Sequence, residues 1–348
     1  MTPPTVLVTG SSGHLGRALM LSLPSLGYTP IGIDIKPSDT TTHVGSITDT
    51  AFLASLFNLL PIVHVIHAAT LHKPHVESHA KNDFVQTNIA GTLALLEAAA
   101  AAMSAQGQNL DGTRGGVKSF VFLSTTSAFG SALSPAPGQP AAWIDESVVP
   151  KPKNIYGVTK TAAEDICALV HKQTGLPVVV LRTSRFFPEE DDDEERRAAM
   201  DGENLKVLEL AYRRVDVSDV VTACVCAMEK GAAKEGGVKW GKYIVSAPPP
   251  FTNDEQTLRG LDRDAGEVFR SVLPGVGEVF KRKGWKFLGR VDRVYDSRRA
   301  MEELGWRPEY TFEKSVERIA NGEEWRSELT FKVGKLGYHD VPTGVYTA

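Results

Sequence analysis

Tyr156 and Lys160 stand four residues apart in the stretch NIYGVTK, directly after Asn154. On a helix, positions i and i+4 share a face and can point into one cleft. Asn is a strong N-cap residue, so a helix is expected to start here. A phenol with a free pKa of about 10 is a poor base near neutral pH. A neighbouring ammonium favours the phenolate and can make it a proton acceptor. The spacing therefore allows a proton-handling pair, and it equally allows an ordinary helix start with a stray lysine. The surrounding chain has to decide.

A second chemical feature is TGSSGHLG, which sets Gly10, Gly13 and Gly16 in a G-x-x-G-x-x-G pattern. It closes the strand-like run TVLVTG (5–10) and opens the helical stretch HLGRALMLSL (14–23). Small residues let a backbone approach a pyrophosphate, and a helix N-terminus supplies N–H donors and a positive dipole end. Gly10, Gly13, His14, Leu15 and Gly16 are thus expected to hold a dinucleotide. Asp34 ends the next strand run, 18 residues after Gly16, with Ile35 beside it. A carboxylate there accepts hydrogen bonds from ribose hydroxyls and repels a 2′-phosphate, so NAD is expected ahead of NADP. Lys36, two places on, softens that repulsion. The plain alternative is that Asp34 caps a turn before Pro37.

The elements that must position these residues alternate. Strand runs at 29–35, 63–69, 119–125 and 176–184 are separated by helical stretches at 51–60, 83–103 and about 154–173. Nearly continuous apolar strands imply a parallel sheet covered on both faces. The expected fold is α/β, a Rossmann-like doubly wound sheet whose ligands sit beyond the carboxyl ends of the strands. Past about residue 185 the rhythm breaks. The expected division is a dinucleotide-binding domain over 1–185, carrying the Tyr/Lys helix. Residues 186–348 form a smaller α+β substrate-binding region, partly interleaved with the first. SAQGQNLDGTRGG (104–116) reads as an exposed loop.

The bulk properties narrow the function classes. A net charge of −4 argues against a nucleic-acid or anionic-membrane partner. No run of about 18 apolar residues occurs, so no membrane-spanning helix is expected. The N-terminus lacks the pattern of a signal peptide. Cys167, Cys224 and Cys226 form no disulfide framework, and a cytoplasmic location is expected. The acidic run Glu189–Glu195 has no accompanying His, and consecutive acids do not converge on one ion, so no metal site is assigned.

The motifs in combination resemble the extended short-chain dehydrogenases/reductases, the group of the sugar-nucleotide epimerases and dehydratases. TGSSGHLG, HAA (67–69), TNIAGT (87–92), LSTTSAFG (123–130), YGVTK (156–160), LR (181–182), RRVDVSDVV (213–221) and LGWRP (304–308) occur in that group's order. The resemblance implies that Tyr156 is the catalytic base and that Lys160 acidifies it and bonds the nicotinamide ribose. It selects Thr125, four residues before Phe129-Gly130, as the hydroxyl that holds the substrate oxygen, with Thr126 and Ser124 as alternatives. It places Ala68, Ala69 and Thr70 beneath the cofactor, Ser46 and Ile47 at the adenine, and Asn88 as a backbone pin. His67 reads as a core histidine. A homodimer through the helices at 83–103 and 154–173 is also implied.

The same resemblance bears on the reaction. The group's 4,6-dehydratases follow the catalytic Thr with Asp-Glu, whereas Thr126 and Ser127 stand here, so dehydration is not expected. The expected reaction is epimerisation of a sugar or nucleotide-sugar hydroxyl. Net dehydrogenation of a sugar or uronate is the alternative, and a non-catalytic dinucleotide sensor is a remoter one. Arg185 replaces the Asn usual after the strand VVVLR, and can grip a phosphate or carboxylate in a bidentate bond. It could otherwise pair with the acids that follow. Arg213, Arg214 and Asp219 resemble a pocket-lining segment, and Thr126 is carried with them as a substrate contact.

Overall fold

The structure, a computed structural model, describes residues 2–104, 116–187, 194–334 and 336. Most of the loop expected over 104–116 and of the acidic run Glu189–Glu195 lies outside these residues. Eleven strands are described: β1 (Thr5–Thr9), β2 (Thr29–Asp34), β3 (His43–Val44), β4 (Ile62–His67), β5 (Ser119–Thr125), β6 (Ala142–Ile144), β7 (Val178–Thr183), β8 (Arg185–Phe186), β9 (Arg214–Val215), β10 (Trp240–Val245) and β11 (Arg293–Tyr295). Seven of them form one parallel sheet in the order β10-β7-β5-β4-β1-β2-β3. β6 pairs with β11 and β8 with β9, each in parallel.

Every residue of β1, β5 and β7 is buried. That follows from helices on both faces. Helices His14–Ser22 and Val217–Ala232 cover one side, packing Leu15, Leu19, Val220 and Cys224 against Val6, Val8 and Leu181. Helices Gly91–Ser104 and Ile155–Thr174 cover the other, with Leu95, Leu96, Ala163 and Cys167 against Leu7, Phe120 and Val180. A third core around Leu208, Phe269, Phe280 and Phe312 lies in the later helices. The residues after 185 do not all join it, because Val217–Ala232 and β10 return to the large sheet. β10 covers the outer edge of β7, which would otherwise expose unpaired backbone groups.

Chain order reverses at β1, which has β2 on one side and β4 on the other. The crevice beyond these strand ends is where such sheets bind ligands. The helix expected from 83 is interrupted by a π-helical turn, Val85–Ala90, between Lys81–Phe84 and Gly91–Ser104. The wide turn holds Asn88, whose amide accepts from Leu71 N (2.8 Å) and Thr70 Oγ1 (2.9 Å) and donates to Leu71 O (2.8 Å) and Thr159 Oγ1 (3.0 Å). It ties the end of β4 to the Tyr156 helix, the pinning role expected of it.

Two histidines are built into β4. His67 is fully buried between Thr9 Oγ1 (2.7 Å) and Thr92 Oγ1 (2.9 Å), the core position expected of it. His64 bonds Ser119 Oγ at 2.9 Å. Burial pushes the His67 pKa down to about 3 and that of His64 to about 4, with Lys160 and Lys118 adding smaller repulsions. An unfolded His titrates near 6.5. Between these values the unfolded chain binds the extra proton, so this stability is full above about 6.5 and is lost as pH falls through about 4. The stability gap between wild type and His64→Gln should therefore shrink by on the order of 1 kcal/mol per pH unit over that window in urea titrations. A gap independent of pH would show that His64 is not held neutral.

Candidate active site

The glycine loop is closed by backbone contacts that exclude side chains. Gly10 has φ 72° and donates from its N–H to Ile33 O at 2.9 Å. A Cβ on Gly16 would lie 1.9 Å from Gly10 O, inside any tolerable contact. A Cβ on Gly10 would press to 2.8 Å from the Ala69 backbone. The Asp34 carboxylate accepts from Ser12 N (3.1 Å) and Lys36 N (2.9 Å), which orients it across the loop from the start of helix His14–Ser22. The cradle fits a dinucleotide pyrophosphate, since bare backbone and a helix N-terminus are what it presents.

One cavity of about 1350 Å³ gathers most of the expected residues. Gly10, Gly13, His14, Leu15 and Gly16 line it at one end, with Asp34, Ile35, Ser46 and Ile47 nearby. Ala68, Ala69 and Thr70 follow from the end of β4. Thr125, Thr126 and Tyr156 line the other end, together with Arg185 and Arg213.

Tyr156 reaches this wall because its helix starts where the sequence sets it. The Asn154 side chain accepts from Gly157 N at 3.0 Å, and the helix runs from Ile155 to Thr174. Thr125 ends β5 and its Oγ1 accepts from Ser127 N at 3.0 Å, which leaves its hydroxyl proton for a substrate oxygen. Lys160 lies one layer behind the wall, 2% exposed, with Nζ 4.1 Å from the Phe122 ring centroid. Burial pushes its pKa down to about 7, against smaller upward pulls from Cys167 and Glu164.

Two expected substrate residues are not among the lining residues. Arg214 is fully buried and lies 2.6 Å from Glu209, a fully buried carboxylate that Arg213 also meets at 2.5 Å and Arg185 at 3.7 Å. Asp219 accepts from Glu309 N and Tyr310 N, both at 2.8 Å, so it anchors the segment after LGWRP. Burial raises its pKa to about 7.

Other lining residues were not expected. Ser184 is 2% exposed, and Arg293 and Asp292 arrive from β11 and the residue before it. Leu336 lines the cavity as well, and its N–H donates to His14 Nε2 at 2.7 Å. Ser184 could have been read from its place beside Arg185; the others carry no local signal. Among the described residues, no cluster of three or more His, Cys, Asp or Glu is placed to hold a metal, and no helix is long and apolar enough to cross a membrane.

The cradle yields a direct test. Gly16→Ala should weaken NAD binding at least about tenfold, because the new methyl must displace the Gly10 carbonyl. Calorimetric titration with NAD measures it, and unchanged affinity would mean that the loop is not the pyrophosphate site.

Residues 6–240 match the NAD dependent epimerase/dehydratase family, well over half of the chain. The chain is 27% identical to the dTDP-glucose 4,6-dehydratase of Xanthomonas campestris pv. campestris (strain B100), over 90% of this chain and 91% of that one. It is 23% identical to UDP-glucuronate 4-epimerase 3 of Arabidopsis thaliana, over 79% and 68%. The crystal structure of the Thermotoga maritima UDP-glucose 4-epimerase with UDP-glucose shares the fold at a TM-score of 0.57, with 22% identity, over 91% of this chain and 99% of that one. The chain belongs to the NAD-dependent epimerase/dehydratase family and is an enzyme of the extended short-chain dehydrogenase/reductase type.

Proposed function

We propose that this enzyme is a 4-epimerase of a nucleotide-linked sugar, with Thr125, Tyr156 and Lys160 as its catalytic residues. The observation that carries the reading is that the glycine cradle, Thr125 and Tyr156 open on a single cavity, with Lys160 buried one turn along the Tyr156 helix. Bound NAD supplies a hydride acceptor that can also give the hydride back. Thr125 donates to the substrate hydroxyl oxygen and holds it toward Tyr156. Tyr156 takes the hydroxyl proton as a phenolate and returns it at the end of the cycle. Lys160 supplies the positive charge that makes the phenol acidic enough for that work. Thr126 and Ser127 follow Thr125 where a dehydratase needs an acid and a base, so elimination of water has no agent there.

Arg185 and Arg213 on the same cavity favour a substrate with an acidic group, a uronate being the reading their chemistry supports. The similarity to a UDP-glucuronate 4-epimerase agrees with it.

The test begins with denatured protein, whose supernatant should contain NAD. Native enzyme given UDP-hexoses and UDP-hexuronates should then isomerise one of them with no build-up of NADH absorbance. Steady NADH release would replace the epimerase by a net dehydrogenase. Tyr156→Phe should lower turnover by roughly 100- to 10,000-fold while retaining NAD; a variant with near-normal rates would remove Tyr156 as the base. Arg185→Met should raise KM for the acidic sugar by at least about tenfold and leave a neutral hexose little affected. Equal effects on both would take Arg185 out of acid recognition.

A further inference from the structure

We propose that Glu164 is a positioning residue for the proton-handling pair: its buried carboxylate keeps Lys160 in the ammonium form on which the acidity of Tyr156 depends. The inference rests on the roles given above to Tyr156 and Lys160. Its test needs neither substrate nor turnover.

Glu164 follows Lys160 by four residues on the same face of the helix Ile155–Thr174, and it is fully buried. Ser124 Oγ donates to its Oε1 at 2.6 Å, and Ser124 is the residue before Thr125. Arg182 donates from Nε to Oε1 (3.0 Å) and from Nη2 to Oε2 (2.7 Å). Lys242 Nζ lies 3.1 Å from Oε2. One carboxylate thus joins the catalytic helix to β5, β7 and β10. It meets two cations, Arg182 and Lys242, and stands one helical turn from a third, Lys160.

The charge count decides what it does. Burial strips Lys160 of water and favours the neutral amine. The groups near it come from several elements. Tyr156, Glu164 and Cys167 belong to its own helix and β4 brings His67, while Arg182 of β7 and Lys242 of β10 meet the carboxylate of Glu164. Phe122 of β5 offers only a ring face. His67 is neutral, because burial pushes its pKa to about 3. Cys167 is fully buried and its thiol is driven far up, so it carries no charge at ordinary pH. Asp165 touches Lys242 at 3.6 Å but is largely exposed and screened by water. Glu164 is therefore the one buried anion in this set. Its own pKa is held below the ordinary carboxylate value by Arg182, Lys242 and Ser124, against the cost of burial. Without it, the two cations it now meets would be left uncompensated beside the Lys160 helix, and the buried ammonium would lose its proton.

The experiment follows Lys160 directly, in the purified full chain labelled with ¹³C-lysine. Its Cε resonance is assigned by its loss in Lys160→Arg and titrated by NMR. In Glu164→Gln the midpoint should fall by about one pH unit or more. In Lys242→Gln it should rise, since that variant removes a repelling cation and leaves the carboxylate in place. Opposite shifts are the mark of charge coupling. Unchanged midpoints, or shifts of the same sign, overturn the proposal. If Glu164→Gln leaves Arg182 unpaired and fails to fold, Lys242→Gln decides alone: a rise supports the proposal, and a fall or no change overturns it. In turnover, Glu164→Gln should move the acidic limb of the kcat/KM profile upward with KM nearly constant, whereas a uniform loss at every pH would assign Glu164 a merely structural role. Should no sugar be turned over, the NMR titration still stands, so failure of the functional reading and failure of this one are separable.

Discussion

The ion pair between Glu164 and Arg182 is the constraint on which the arrangement of the active site depends. Both groups are almost fully buried, and each would be costly to leave alone. Breaking such a pair from one side costs about 3–5 kcal/mol, although the intact pair adds little net stability. Its value is positional. The pair locks the helix Ile155–Thr174 to β7, and Ser124 locks the same carboxylate to the end of β5. Thr125 and Tyr156 belong to two different elements, and this junction is what sets their relative placement.

The cofactor half of the cavity is held by a different economy, one of small side chains. Gly10 and Gly16 touch backbone to backbone, and Ala69 passes just beneath. Asn88 then carries the rigidity across, from the loop after β4 to Thr159 on the catalytic helix. The two halves of the cavity are thus joined by one amide in a π-helical turn and one buried carboxylate.

Much of this was legible in the sequence, for reasons that can be named. β1, β4, β5 and β7 read as strands because burial on both faces leaves almost continuous apolar runs. Tyr156 was legible because Asn154 marks the helix start and Lys160 shares the face. β10 was not, since WGKYIV carries a Lys and the run sits amid segments with no strand–helix rhythm. Arg213 and Arg214 were indistinguishable as letters. Arg213 closes the turn after helix Gly202–Leu210 and Arg214 opens β9; both meet Glu209, but only Arg213 lines the cavity, and Arg214 is fully buried. Asp219 looked like a pocket residue because its segment resembles one; its two backbone partners, Glu309 and Tyr310, lie far along the chain. Asp292 and Arg293 were hidden for the same reason, being brought to the cavity only by the pairing of β11 with β6.

The bond from Leu336 to His14 sets an order of assembly. The glycine loop is synthesised long before Leu336, yet one wall beside it is supplied by that residue. A nascent chain can pair its early strands and form the glycine turn, but its dinucleotide berth stays open on that side until Leu336 has been made. Enclosure of the coenzyme on that side therefore waits for a residue that follows all the described strands.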